Sequence, residues 1–174
     1  MKLTDISSDI NEWFSGSGPL ADIVISSRIR LARNLADHKF SSKCSDEEKA
    51  EILEILKTVI TSLDLGESLF YLNVADAPET DRYFLVERNL ISRHHAFGKG
   101  PRGACISTKE SFTAMINEED HIRLQVIKSG LQLSECAKQI NRIDDLIEQK
   151  VDYAFSPKFG FSLVSMSPGP SRCV

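Results

Sequence analysis

Two short segments of strict period-two alternation constrain this chain most, because a segment with one apolar and one polar face is suited to a half-buried strand. In Asp22-Ile23-Val24-Ile25-Ser26-Ser27-Arg28-Ile29-Arg30-Leu31 the odd positions Ile23, Ile25, Ile29 and Leu31 are apolar, whereas Ser26, Arg28 and Arg30 fall on the even face. In His121-Ile122-Arg123-Leu124-Gln125-Val126-Ile127 the even positions are apolar, and His121, Arg123 and Gln125 share the other face. Alternate side chains on a strand stand roughly 6.5–7 Å apart, so Arg28 and Arg30 can grip different phosphates of one polyphosphate with two rigid, permanently charged forks. A lone Arg-x-Arg reads more simply as the solvated face of an edge strand; its repetition on a second strand favours an anion site. Just upstream, Asn117-Glu118-Glu119-Asp120 is an acidic turn that delivers carboxylates to the mouth of the polar face. Taken alone, that turn reads as a solvated loop.

The remaining pattern supplies helices to cover such strands. Ser45 followed by Asp46, Glu47 and Glu48 is an N-cap with acidic first-turn residues, opening a helix whose apolar positions Ile52, Ile55, Leu56, Val59 and Ile60 share a face and which ends at Leu65-Gly66. Leu69 to Ala75 reads as a strand, Thr80 to Asn89 as a helix, and Ala104 to Ser107, Phe112 to Ile116 and His121 to Lys128 as further strands. The clearest helix runs from Leu131 to Lys150, with Leu133, Cys136, Ala137, Ile140, Ile143, Leu146 and Ile147 as its apolar stripe. A shorter helix is expected over Asp5 to Phe14, before the breaker Ser15-Gly16-Ser17-Gly18-Pro19. Several strands followed by one long helix indicate an α+β fold.

The 174 residues suit a single domain, and a net charge of -4 argues against the broad basic footprint that nucleic acid or an anionic membrane requires. Any phosphate contact must therefore be local. No stretch approaches the roughly 20 apolar residues of a membrane span, and Met1 to Ile10 carries neither a long apolar run nor a basic leader, so a cytoplasmic protein is expected. Cys44, Cys105, Cys136 and Cys173 are scattered, and no histidine has metal-ligand spacing to them. The segment Gly98-Lys99-Gly100-Pro101-Arg102-Gly103 has G-x-G-x-x-G spacing, but a strand rather than a helix is expected after it. It reads as a surface turn, or as a basic loop beside a substrate.

The stretches Ser26-Ser27-Arg28-Ile29-Arg30-Leu31-Ala32-Arg33-Asn34 and Asn117-Glu118-Glu119-Asp120-His121-Ile122-Arg123 resemble characteristic segments of the phosphagen (ATP:guanidino) kinase superfamily. Leu90-Ile91-Ser92 and the run from Asp144 to Phe155 also fit, extending the resemblance from Asp22 to Phe161. Animal creatine and arginine kinases place a helical domain ahead of the first arginine strand, where this chain has only residues 1–20. The resemblance is therefore nearer to the bacterial members that phosphorylate arginine side chains of proteins. It implies part of a glutamine-synthetase-like guanidino kinase catalytic domain over 21–161, a mainly antiparallel sheet with packed helices, between an extension over 1–20 and a divergent tail over 162–174.

The same resemblance implies that Ser26, Ser27, Arg28, Ile29, Arg30 and Arg123 contact the phosphates of ATP, that Glu119 holds the acceptor guanidinium, and that Asn89 stands near the nucleotide where the family usually has a histidine. Magnesium is implied with the ATP, without a protein ligand set of its own. Expected partners are protein substrates presenting arginine, with an activator or a second copy of the chain; nucleic acid and membrane are not expected. After Phe161 the family continues with a Cys-Pro-Thr-Asn stretch, another arginine-bearing phosphate segment and a loop with a second acidic residue, whereas this sequence runs from Ser162 through Pro168-Gly169-Pro170 to Val174. The expectation is of a truncated product with half of the sheet and of the ATP site missing. Its alternative function is that of an inactive remnant or an anion- or nucleotide-binding module.

Overall fold

The computed structural model describes residues 12–158 and 160–161. The alternating segments become strands of one antiparallel sheet, built from β1 (Ser26–Arg33), β2 (Leu69–Asn73), β3 (Gly103–Ser107), β4 (Phe112–Ile116) and β5 (Ile122–Ser129) in the order β1-β5-β4-β3-β2. The two arginine strands, far apart in sequence, are neighbours: Arg28 lies opposite Ile127, Arg30 opposite Gln125 and Ala32 opposite Arg123. The fold is α+β, as expected, and places helices on both faces.

One face is mostly apolar, with Ser27 and the Arg33–Asp144 pair among its polar members. Ile29, Leu31, Leu124, Val126, Ala114, Phe112 and Cys105 pack against α1 (Asp46–Thr61) and α4 (Leu133–Glu148), whose buried faces are Ile52, Leu53, Leu56 and Ile60, and Cys136, Ile140, Ile143 and Ile147. Burial of such side chains contributes about 1.5–3 kcal/mol each before conformational entropy is counted. The start of α1 is fixed by a capping box: Ser45 Oγ accepts from the Glu48 amide while the Glu48 carboxylate accepts from the Ser45 amide at 2.8 Å.

The opposite face is divided. Over β2, β3 and β4, the residues Phe70, Leu72, Ala104, Ile106 and Met115 pack against Leu85 of α2 (Glu79–Glu87), Ala96 of α3 (Arg93–Phe97), and Leu90 and Ile91 between those helices. Over β1 and β5 the same face carries Arg28, Arg30, Arg123 and Gln125. The boundary between the apolar and polar halves is where a ligand can meet both sheet and loops. On the α1 side of the sheet, Gly103 gives room to Tyr71, since a Cβ there would stand 2.6 Å from the Tyr71 ring.

Several boundaries differ from the sequence expectation for identifiable reasons. β1 starts at Ser26 rather than Asp22, because Leu20 adopts φ 52° and its carbonyl accepts from the amides of Ile23 and Val24, making a turn. Ile23 and Ile25 are left 76% and 63% exposed, so the first half of the alternation is not a core face. Gly130, with φ 67°, closes β5 against Pro19, whose carbonyl oxygen would lie 2.3 Å from an added Cβ. Leu133 is exposed, so α4 uses a narrower stripe than its sequence suggests. Of the helix expected over 5–14, residues 12–14 form a single 3-10 turn and the rest lie outside the described residues, as do the tail from 162 and Cys173. Cys44, Cys105 and Cys136 are free thiols. After Gly98-Lys99-Gly100-Pro101-Arg102 comes β3, a strand, which removes the dinucleotide-turn geometry. A short hairpin of β6 (Phe155–Ser156) and β7 (Gly160–Phe161) follows α4. Among the described residues no helix is long and apolar enough to cross a membrane.

Candidate active site

Residues opposite one another on antiparallel strands share a face, so the register sets Arg28 and Arg30 of β1 beside Gln125 and Arg123 of β5. Arg30 Nε donates to Gln125 Oε1 at 2.9 Å, and Gln125 Nε2 donates to the Asn89 carbonyl oxygen at 2.7 Å. Asn89, at φ 58°, turns the chain sharply after α2 and so brings this carbonyl to the arginine face. The relay holds the Arg30 fork by one edge and leaves its terminal nitrogens for another partner. Burial, then the positive charges of Arg28 and Arg123, lower the Arg30 pKa, although a guanidinium remains charged throughout the physiological range. Neither Arg28 nor Arg30 has a carboxylate partner among the described residues. Two like charges without a counter-charge, fixed on one strand face, form a site that gains from an incoming anion.

Arg123 is treated differently. Its Nη1 pairs with Glu118 Oε2, while Nη2 lies 2.9 Å from Glu119 Oε2 and 3.8 Å from Asp120 Oδ2. The three carboxylates of the acidic turn thus converge on one guanidinium but differ in setting. Glu118 is buried, with 1% of its side chain exposed, and accepts from the hydroxyl of Ser92, the N-cap of α3. Glu119 is 56% exposed and is the carboxylate most open to an added cation. Asp120 accepts from Asn34 Nδ2 at 2.8 Å, and Asn34 Oδ1 in turn accepts from the His121 amide at 2.9 Å.

His121 precedes β5 and does not share the polar face with Arg123, contrary to its sequence parity. Its Nδ1 accepts from the Leu35 amide at 3.0 Å, which leaves the proton on Nε2 to donate to the Lys39 carbonyl at 2.8 Å. Burial lowers its pKa, so the ring is a neutral strut between the acidic turn and the segment after β1.

The other expected phosphate contacts divide by strand parity. Ser26 falls on the arginine face. Ser27 is buried on the opposite face, where its hydroxyl donates to the Gly130 carbonyl and accepts from the Gln132 amide, both at 2.8 Å. Ile29 packs into the α1–α4 core. A contact from Ser27 or Ile29 to a ligand on the arginine face is therefore restricted to the main chain. Sequence reasoning missed Glu118, Ser92 and Gln125 as supports: a serine cap and a turn glutamate twenty-six positions apart give no linear signal of their pairing.

An antiparallel sheet with helices on both faces and an arginine-lined half-face makes this an α+β domain with a cationic half-face. The duplicated taurocyamine kinase of Schistosoma mansoni with bound transition state analog components superposes with a TM-score of 0.77 at 22% identity, over 85% of this chain and 22% of that one. Lombricine kinase superposes with a TM-score of 0.70 at 19% identity, over 91% and 46%. Residues 51–167 match the family described as ATP:guanido phosphotransferase, C-terminal catalytic domain, and the chain belongs to that family. The protein-arginine kinase of Halothermothrix orenii is 41% identical over 162 residues, 92% of this chain and 46% of that protein. That of Bacillus cereus strain G9842 is 42% identical over 155 residues, 87% and 43%. The chain thus spans less than half the length of these curated relatives.

Proposed function

We propose that the arginine face binds the phosphates of ATP and that the chain takes part in transfer of the γ-phosphoryl group to an arginine side chain of a protein. The observation that carries this reading is the pair Arg28 and Arg30, aligned on one strand face without a carboxylate and flanked by Arg123, which the acidic turn already holds. A triphosphate supplies the counter-charge that the two guanidiniums lack. The exposed carboxylate of Glu119 supplies the complementary site for a guanidinium.

In the proposed step an acceptor guanidinium nitrogen forms a bond to the γ-phosphorus as the bond from that phosphorus to the bridging oxygen breaks, its electron pair leaving with ADP. The nitrogen gives up a proton, for which Glu119 is the nearest exposed acceptor in this constellation. Arg28, Arg30 and Arg123 offset the charge spread over the phosphoryl oxygens, so the protein contributes position and electrostatic stabilisation. Magnesium supplies further charge neutralisation when bound to the nucleotide. Among the described residues no cluster of histidine, cysteine, aspartate or glutamate is arranged to hold a metal ion. The relatives named protein-arginine kinase support a protein acceptor, and the cytoplasm is the compartment proposed for an ATP-dependent reaction of this kind.

A binding-only reading draws on one observation: Glu119 is already paired with Arg123, and no second acidic residue faces it from β1. Incubation of the full chain with γ-labelled ATP, magnesium and an unfolded protein separates the two. Acid-labile phosphoarginine that disappears in Glu119→Ala supports transfer. Nucleotide binding without label transfer supports the module.

A further inference from the structure

Behind the acidic turn lies a cavity of about 380 Å³ enclosed by the first turn of α1, the start of α3 and the loop from Gly98 to Arg102. Glu118, Glu119, Lys49, His94 and Lys99 are among its lining residues. The cavity therefore carries both carboxylate and ammonium groups. Lys49 and Lys99 have no ion-pair partner among the described residues. The arginine that completes the lining is already committed: Arg102 donates to the carbonyls of His95 and Gly100, both at 2.8 Å.

Two buried side chains in the lining have polar atoms without a partner. Asn117 is 7% exposed, and its Nδ2 donates to the Lys49 carbonyl at 2.7 Å and to the Pro101 carbonyl at 3.0 Å. Those two bonds fix the amide and leave Oδ1, which has no donor, as an unspent acceptor. Ser41, 5% exposed, likewise has an unpartnered hydroxyl. Orphaned buried polar atoms are uncommon and call for a partner. Here they belong to a cavity whose charged groups are of both signs.

We infer that this cavity is a specificity site for an acidic residue flanking the acceptor arginine in a protein substrate. The inference rests on the functional reading above. The guanidinium lies toward Glu119, a substrate main-chain N–H meets Asn117 Oδ1, and the neighbouring carboxylate is held by Lys49 and Lys99. A purely cationic ligand leaves the lysines without a counter-charge, and a purely anionic one meets Glu118 and Glu119; a ligand bearing both charges satisfies both sets of groups. The loop Gly98-Lys99-Gly100-Pro101-Arg102 thereby has a role in reading substrate sequence. It is held for that role, because Asn117 ties Pro101 to α1 and Gly100 packs where a Cβ would stand 2.7 Å from Asp46 Oδ1.

The test is fluorescence anisotropy of the full chain with acetylated, amidated peptides that differ only beside one arginine, glutamate in one and glutamine in the other. Citrulline versions of both report on the arginine itself. The glutamate peptide should bind about tenfold more tightly than its glutamine counterpart, as one well-placed charge contact permits. The double variant Lys49→Ala, Lys99→Ala should erase that difference and leave the glutamine peptide unchanged. Lys99→Glu, a substitution at an exposed position, should reverse the preference for glutamate over glutamine. Equal binding of the two peptides to the unaltered chain, or a preference that survives the double variant, overturns the proposal. A glutamate preference retained in the citrulline peptides upholds the lysine contacts of the site while removing the arginine reading, so the two failures are distinguishable. Free arginine binding more tightly than the glutamate peptide overturns a side-chain carboxylate in favour of the amino acid's own.

Discussion

Glu118 and Glu119 are adjacent, of one residue type and paired to one arginine, yet replacement of each should have opposite consequences. Glu118 is 1% exposed and holds both Arg123 Nη1 and the Ser92 hydroxyl, so Glu118→Ala strands a partly buried guanidinium and removes the tie between β5 and α3. Breaking a buried pair costs about 3–5 kcal/mol. Because Arg123 retains 20% exposure and two further carboxylates, a cost of roughly 2–3 kcal/mol is expected. For a domain of this size each kcal/mol lowers Tm by about 2–4 °C, giving a fall of roughly 4–12 °C. Glu119 is 56% exposed, and its pair with Arg123 is worth about 0–1 kcal/mol, so Glu119→Ala should shift Tm by no more than about 4 °C. In the phosphoarginine assay the order is reversed at temperatures where both variants are folded: Glu119→Ala is silent, and Glu118→Ala retains residual transfer. Urea titration with thermal scans measures the first half of the contrast, label transfer the second. Equal destabilisation by the two substitutions would refute the division into a buried support and an exposed acceptor site.

Two further outcomes concern the frame of the site. Ser45→Ala removes the side-chain half of the α1 capping box and should lower stability by about 1 kcal/mol, read as a lower urea midpoint at unchanged slope. His95 lies on the buried face of α3 with Nε2 on the Gly103 carbonyl, and burial, the largest influence, lowers its pKa to about 4. Its unfolded pKa is near 6.5, so its contribution is fully present above about pH 6.5 and is lost as pH falls toward about 4. The urea midpoint should fall across that window, and His95→Gln should flatten the dependence; parallel curves for the two proteins would contradict this origin.

The arginine face was legible because strand parity is local: Arg28 and Arg30 share a face whatever the strand pairs with, and Arg123 with Gln125 does the same. Parity failed at both ends of that signal. Ile23 and Ile25 alternate correctly but belong to a turn closed by Leu20, and His121 alternates with Arg123 but sits before β5, where Leu35 and Lys39 claim both ring nitrogens. Ser27 and Ile29 entered the site through family resemblance, and their side chains face α4 and the core, as parity alone requires. Long-range pairings had no sequence signal. Ser92 with Glu118, Asn34 with Asp120 and Asn89 with Gln125 are polar contacts between residues far apart in sequence, and only the assembled sheet brings them together. The Gly98–Gly103 motif was read correctly as no dinucleotide turn, but its place beside the acidic turn follows from Asn117 reaching Pro101, a bond that the sequence does not announce.

Calorimetric titration of the full chain with ATP and magnesium, repeated with the variant Arg28→Ala, Arg30→Ala, tests the central claim most directly. Charge-assisted hydrogen bonds are worth about 1.5–3 kcal/mol each, so the double variant should bind at least about a hundredfold more weakly. Binding to the unaltered chain should also weaken as salt is raised, since exposed charges are screened. Equal ATP affinity of the variant and the unaltered chain would contradict the assignment of this sheet face to the nucleotide phosphates.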